Sequence, residues 1–257
     1  MVLECIPEYG KAEEWGELSE KYGLSFEYNE FFNPAVLEDD NKIDEIVGIY
    51  NSLGRDRSND TLHGAFLDIT VSSSDPMIRN ASDYRVRQSL DIASRLKVKG
   101  VVFHTNYLTD FKSIPYRDSW VEINTKYWDM MCLEHKHLNI YLENMFDDTP
   151  ELLSRVAQNL SDTENFGVCL DIAHAFLSRV PIEEWVSSLS AHIRHIHIND
   201  NDGLQDLHMA VGAGKIDWNV LKNPELFTAS PSVLIEVSGK DKLKKSCSYL
   251  QNAGFIK

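Results

Sequence analysis

Short apolar runs alternate with stretches of helical periodicity eight times along the chain. Residues 2–6, 24–28, 61–68, 100–104, 139–143, 166–171, 193–198 and 232–236 read as β-strands. Most are continuous in apolar character, as strands buried on both faces are. Helices are expected near residues 11–22, 39–53, 83–96 and 120–135, from 149–151 onward, over 182–189, from 216–218 and over 241–252. In the second of these, Ile43, Ile46, Val47 and Tyr50 recur at helical spacing. Gly23 ends the first helix, and Thr149-Pro150-Glu151 offers an N-cap with proline in the first turn. Residues 105–116 and 199–214 read as longer loops. Strict strand–helix alternation predicts a parallel sheet covered by helices. Eight strands in 257 residues favour closure into a single (β/α)8 barrel domain spanning residues 1–257. No GxGxxG or GxxxxGK[ST] loop follows a strand, which removes the main nucleotide-binding alternative.

The polar residues that interrupt this pattern are chemically selected. His63, His104, Glu143, Asp171, His197 and Glu236 stand at or near the ends of the expected strands, and His174, Asp206 and His208 lie in segments that follow. In a (β/α)8 barrel the C-terminal strand ends surround the catalytic mouth. Imidazole or carboxylate at six strand ends predicts one shared metal site.

Composition narrows the class. A formal net charge of −15 repels phosphate backbones, which argues against nucleic acid as partner. The four cysteines, Cys5, Cys132, Cys169 and Cys247, are widely spaced and form no CxxC pair, so a reducing compartment is expected. The N-terminal residues lack a basic region and a long apolar stretch, and no window is long and apolar enough for a membrane span. A soluble, cytoplasmic protein without membrane partners is the expectation; oligomeric state is open.

Each candidate has a competing structural reading. Asp171-Ile172-Ala173-His174 lets both side chains reach one cluster across a tight turn; alternatively Asp171 caps a helix and His174 is a surface residue. His195 and His197 share a strand face; His197, nearer the C-terminal end, is the expected ligand and His195 a filled barrel-layer residue. Asp200 either orients a ligand imidazole or caps the loop. Gly212 and Gly214 either let backbone approach a phosphate or sugar, or serve the turn. Glu143 and Glu236 can ligate a metal and also shuttle protons. Tyr107, Lys112, Arg79 and Arg85 could hold a phosphate or hydroxyls above the mouth, with exposed helix faces as the alternative. His135 and His137, at a helix end, are expected to face solvent or to interact with the helix dipole, and either Glu27 or Glu30 could touch a substrate.

The segments Leu62-His63-Gly64-Ala65-Phe66, Val102-Phe103-His104, Leu142-Glu143-Asn144, Leu170-Asp171-Ile172-Ala173-His174, His197-Ile198-Asn199-Asp200, Asp206-Leu207-His208 and Ile235-Glu236 resemble the xylose isomerase-like TIM barrel superfamily. That superfamily includes sugar-phosphate isomerases/epimerases and the AP endonuclease family 2, or endonuclease IV-like, enzymes. In its epimerase-like members the resemblance implies one divalent metal, zinc or manganese, on Glu143, Asp171, His197 and Glu236. It also implies substrate contact by His174, with Glu143 and Glu236 as acid–base pair. In its endonuclease IV-like members it implies up to three zinc ions on all nine strand-end and loop residues, every one of which is filled here. Two reactions follow. The first is sugar or sugar-phosphate isomerisation or epimerisation. The alternative is metal-dependent hydrolysis of a small phosphoester rather than an abasic site in DNA. We read the first as primary, because a filled ligand set fixes metals and not the substrate.

Overall fold

A computed structural model describes residues 2–66, 68–178 and 180–256. Among them, eight parallel strands hydrogen-bond in chain order and the last closes on the first. They are β1 (Leu3–Cys5), β2 (Leu24–Tyr28), β3 (Thr61–His63), β4 (Gly100–His104), β5 (Asn139–Glu143), β6 (Phe166–Asp171), β7 (Ile193–Ile198) and β8 (Ser232–Ile235). The expected (β/α)8 barrel is therefore the fold.

Alternation along each strand sorts side chains into two sets. Leu62, Val101, Phe103, Ile140, Leu142, Val168, Leu170, Ile196, Val233 and Ile235 join one large apolar core between sheet and helices. The alternate positions fill the barrel interior. There Val102, Tyr141 and Cys169 form a small separate apolar cluster. Around them Glu4, Glu27, Thr61, His63, Glu143, Asp171, His195, His197 and Ser232 are buried.

The helices are α1 (Ala12–Tyr22), α2 (Pro34–Leu37), α3 (Asp40–Ser52), α4 (Pro76–Leu96), α5 (Ile114–Glu134), α6 (Glu151–Asn159), α7 (Ile172–Leu177), α8 (Ile182–Leu189) and α9 (Lys240–Asn252). Helix α1 ends at Gly23, whose φ of 62° fits the left-handed cap. Helix α3 buries Ile43, Ile46, Val47 and Tyr50, and the Asp39 carboxylate accepts from the Lys42 N–H at its start. Helices α4 and α5 begin well before the expected 83 and 120. Each carries proline in its first turn, and Asp75 caps α4 by accepting from the Met77 N–H (2.8 Å). Helix α6 begins at Glu151 with Pro150, not Thr149, in the cap position and no side-chain cap. The segment expected to open a helix at 216–218 forms a 3-10 turn, Trp218–Lys222, capped by Asp217. Strand β3 ends at His63, and the following Gly64 lies so close to the Phe103 ring that there is no room for a side chain. Leu67, within the longer strand expected there, lies outside the described residues. No helix among the described residues is long and apolar enough to cross a membrane.

Candidate metal centre

The barrel register places the strand-end residues side by side. His104 of β4 pairs with Glu143 of β5, and Asp171 of β6 pairs with His197 of β7. A bulge between Val168 and Cys169 sets the second alignment. Glu236 follows β8 directly, His174 lies in α7, and Asp206 and His208 fold back from the loop after β7.

Glu143 is the hub. Its Oε2 lies 3.4 Å from His104 Nε2, 3.4 Å from His197 Nδ1 and 3.8 Å from His63 Nε2. Its Oε1 lies 3.5 Å from His174 Nδ1. Two donor groups share this carboxylate, His63–His104–Glu143 and Glu143–Asp171–His197, each with its ligand atoms within 4.8 Å of one another. Glu236 Oε2 lies 3.6 Å from His197 Nδ1 and 3.8 Å from His208 Nδ1. A third group forms where Asp206 Oδ2 lies 3.4 Å from His174 Nε2 and 3.1 Å from His208 Nε2. The structure thus brings together all nine strand-end and loop candidates.

The donor set fits divalent metal ions. Both Glu143 oxygens, Asp171 Oδ2, Asp206 Oδ1 and both nitrogens of His197 are buried without a hydrogen-bond partner. Such orphaned polar atoms are costly when left unsatisfied, and a cation would satisfy the carboxylate oxygens and one imidazole nitrogen among them. Three imidazoles are fixed from behind by backbone carbonyls, which can only accept. The Nδ1–H groups of His63, His174 and His208 donate to the carbonyls of Gly64 (3.0 Å), Asn144 (2.9 Å) and Glu236 (3.1 Å). Each Nε2 is then left facing the acids, the arrangement that orients metal-ligating histidines. His208 adopts φ of 44°, a strained conformation for a non-glycine residue, and Lys242 Nζ donates to its carbonyl (2.8 Å). Asp171 combines two roles that the sequence presented as alternatives. Its Oδ1 caps α7 by accepting from the His174 N–H (2.5 Å), while Oδ2 remains free for the cluster. His174 is buried, not a surface residue.

Without a metal, protons offset the crowded acids. Burial disfavours charge on His208, but Asp206 and Glu236 outweigh it and push its pKa to about 9. Burial likewise opposes charge on His174, and Asp171, Asp206 and Glu143 hold it well above its ordinary value. Burial and the adjacent His104 lower His63 to about 4, leaving its lone pair available at neutral pH. Burial raises Glu236 to about 8 despite His197 and His208. Glu143 is also penalised by burial, yet His197 and His104 hold it well below the usual carboxylate range.

The loop that delivers Asp206 and His208 is built on Asp200. Its carboxylate accepts from the N–H groups of Asn201 (3.0 Å), Gly212 (2.9 Å) and Ile216 (3.2 Å) and from Trp218 Nε1–H (2.9 Å). Asp200 therefore organises the loop rather than a ligand ring. Gly212, at φ of 84°, and Gly214, pressed on the Asp200 carboxylate, serve that turn instead of a phosphate or sugar. Asp200→Ala leaves several buried donors unpaired at roughly 1–3 kcal/mol each. Denaturant unfolding is expected to show a loss of several kcal/mol; unchanged stability would contradict this account of the loop.

Six members of the cluster, His63, His104, His174, Asp206, His208 and Glu236, line a cavity of about 480 Å³ whose walls include Phe32, Phe66, Phe146 and Leu207, with Ser238 and Lys242 also in the lining; Glu143, Asp171 and His197 are not in the lining. Phe66 lies 5.0 Å from the His104 ring and Phe146 5.0 Å from the His174 ring. A cleft of about 650 Å³ at Leu3, Tyr22, Leu24 and Phe255 opens instead at the start of the strands. Several sequence candidates stay away from the cavity lining. Tyr107 stacks on Tyr116 at 5.5 Å, and Lys112 pairs with Asp148 at 3.1 Å. Arg79 donates to the Ser73 and Ser74 carbonyls, and Arg85 pairs with Glu38. His137 pairs with Ser94 (2.8 Å) beside His135. Glu30 accepts from the Tyr50 hydroxyl and the Tyr9 N–H, and Glu27 is buried beneath His197. Neither glutamate lines the cavity. Sequence reasoning passed over Asn144 and Asn199. Asn144 exchanges two hydrogen bonds with the Asp171 backbone (2.9 and 3.0 Å), and Asn199 Nδ2 donates to Glu236 Oε2 (3.2 Å). Their place directly after a strand-end ligand, or one residue further, was the available signal.

Comparison with known proteins agrees with this architecture. Residues 17–250 match the family model of the xylose isomerase-like TIM barrel, and the chain belongs to that family. It is 31% identical to the uncharacterized protein MJ1614 of Methanocaldococcus jannaschii over 187 residues, covering 70% of each chain. Among solved structures, the TTHB071 protein of Thermus thermophilus, soaked with ZnCl2, superposes with a TM-score of 0.76 at 24% identity, covering 100% of both chains. D-psicose 3-epimerase of Clostridium cellulolyticum, solved with D-tagatose, has a TM-score of 0.69 at 16% identity, covering 100% of this chain and 99% of that one.

Proposed function

We propose that this protein is a divalent-metal-dependent sugar or sugar-phosphate isomerase/epimerase in which Glu143 and Glu236 form the acid–base pair. One observation carries the reading. Both carboxylates converge on His197 Nδ1, at 3.4 and 3.6 Å, and Glu236 also lines a cavity sized for a small molecule. The epimerase among the fold neighbours supports the same reaction class, and the zinc-soaked neighbour supports zinc; manganese suits the same donors. Glu143, Asp171, His197 and Glu236 would hold one ion, with His174 at the substrate. An ion bound there would polarise carbonyl and hydroxyl oxygens of the substrate and acidify the neighbouring C–H. One glutamate removes that proton and the other delivers one. The four cysteines are buried and unpaired, which fits a reducing, cytoplasmic setting.

A second reading is favoured by the two additional donor groups, His63 with His104 and His174 with Asp206 and His208. A set of two or three ions suits hydrolysis of a small phosphoester. The discriminating assay uses metal-loaded protein on ketoses, ketose phosphates and phosphodiesters, with and without chelator. Chelator-sensitive sugar interconversion is the expected result; chelator-sensitive phosphate or alcohol release alone would replace it with the hydrolase reading.

A further inference from the structure

Beneath the metal centre the barrel interior holds a second polar layer that the proposed reaction does not use. Thr61 Oγ1 lies 2.6 Å from Glu4 Oε2 and 2.7 Å from Glu27 Oε2, with all three residues fully buried. A hydroxyl carries a single hydrogen, so it donates to one carboxylate and must receive a hydrogen from the other acid. Burial and the neighbouring Glu27 push Glu4 up to about 8, which makes Glu4 the protonated donor. The hydrogen bonds then run from Glu4 to Thr61 and from Thr61 to Glu27.

Glu27 Oε2 also accepts from His195 Nε2–H (3.0 Å), and His195 Nδ1 accepts from the Ser232 hydroxyl (2.7 Å). Both nitrogens of His195 are thereby used, so Glu4, Glu27 and His195 do not form a further metal site. They do clamp the Glu27 carboxylate. Its second oxygen, Oε1, is buried without a hydrogen-bond partner. It lies 3.4 Å from His197 Nε2, which is also buried without a partner. His197 Nε2 thus faces Glu27 Oε1, with Cys169 also beside the ring, while His197 Nδ1 faces Glu143 and Glu236.

We infer that Glu27 is the positioning residue of the metal centre: it takes the Nε2–H of His197 and so presents the Nδ1 lone pair to the ion. This rests on the metal reading above and is independent of the reaction. His63, His174 and His208 are backed by neutral carbonyls. His197 is backed by a carboxylate, which fixes the tautomer and also raises the basicity of the ligand. The clamp by Thr61 and His195 prevents the carboxylate from turning away, as an acid on a free side chain would.

Two measurements test this. In zinc-loaded wild-type protein labelled with 15N-histidine, long-range 1H–15N correlation is expected to place the hydrogen of His197 on Nε2 and zinc on Nδ1. Hydrogen on Nδ1 would overturn the inference without touching the metal reading; failure to bind zinc at all would overturn both. Calorimetric titration with ZnCl2 then compares two isosteric variants. Glu27→Gln removes the carboxylate and is expected to weaken zinc binding by about 10–100-fold. Glu4→Gln retains a donor toward Thr61 and is expected to leave zinc binding unchanged. Equal effects of the two variants, or none, would return Glu27 to a purely structural role. If Glu27→Gln does not fold, the tautomer measurement on the wild-type protein decides alone.

Discussion

Glu143→Gln is expected to lower turnover of the metal-loaded protein by about 10²–10⁴-fold, the usual contribution of a general acid–base residue. Glutamine keeps the size of the side chain and one oxygen ligand but cannot accept and return a proton. The effect is expected to be large because Glu143 faces four imidazoles, His63, His104, His174 and His197. Glu236→Gln should fall in the same range, since Asn199 already holds that carboxylate in place and a change of charge there is a change of chemistry. The check is kcat at saturating metal, with circular dichroism confirming the fold. Retention of near wild-type kcat in either variant would remove that glutamate from the acid–base pair.

Replacing His104 and His208 together by alanine is expected to reduce bound metal to one ion per chain. His104 belongs to the group with His63, and His208 to the group with His174 and Asp206. Neither is part of the Glu143–Asp171–His197 group, which should keep its ion. Elemental mass spectrometry on the purified variant reads the stoichiometry. Metal content unchanged from wild type would return both histidines to the structural class, while complete loss of metal would show that the groups do not bind independently.

The barrel and the clustering of the nine strand-end and loop candidates are legible in the sequence because both depend on local pattern. Strand bounds for β2, β4, β5, β6 and β7 follow directly from apolar runs bounded by polar residues. The starts of α4 and α5 were not visible by apolar periodicity, because their first turns are exposed: Met77 is 80% and Ile114 72% exposed. The signal there was chemical, Asp75-Pro76 and Ser113-Ile114-Pro115, a capping residue followed by proline. Only loop position points to Tyr107 and Lys112, and loop position does not fix direction. Packing of Tyr107 on Tyr116 and Trp120 turns it into the helical layer. The layer of Glu4, Thr61 and Glu27 could not be read either. A buried acid in a short strand looks like an edge charge until closure of the barrel brings β1, β2, β3 and β7 around it.

The most direct test of the central claim is isotopic. Metal-loaded protein is incubated in deuterated, 18O-enriched water with ketoses, ketose phosphates and small phosphodiesters, and the products are examined by NMR and mass spectrometry. The acid–base pair predicts an interconverted sugar carrying deuterium on the reacting carbon, at least in part, with no release of phosphate. Phosphate or alcohol released with solvent oxygen in a product, and no carbon-bound deuterium, would contradict it and assign the site to phosphoester hydrolysis.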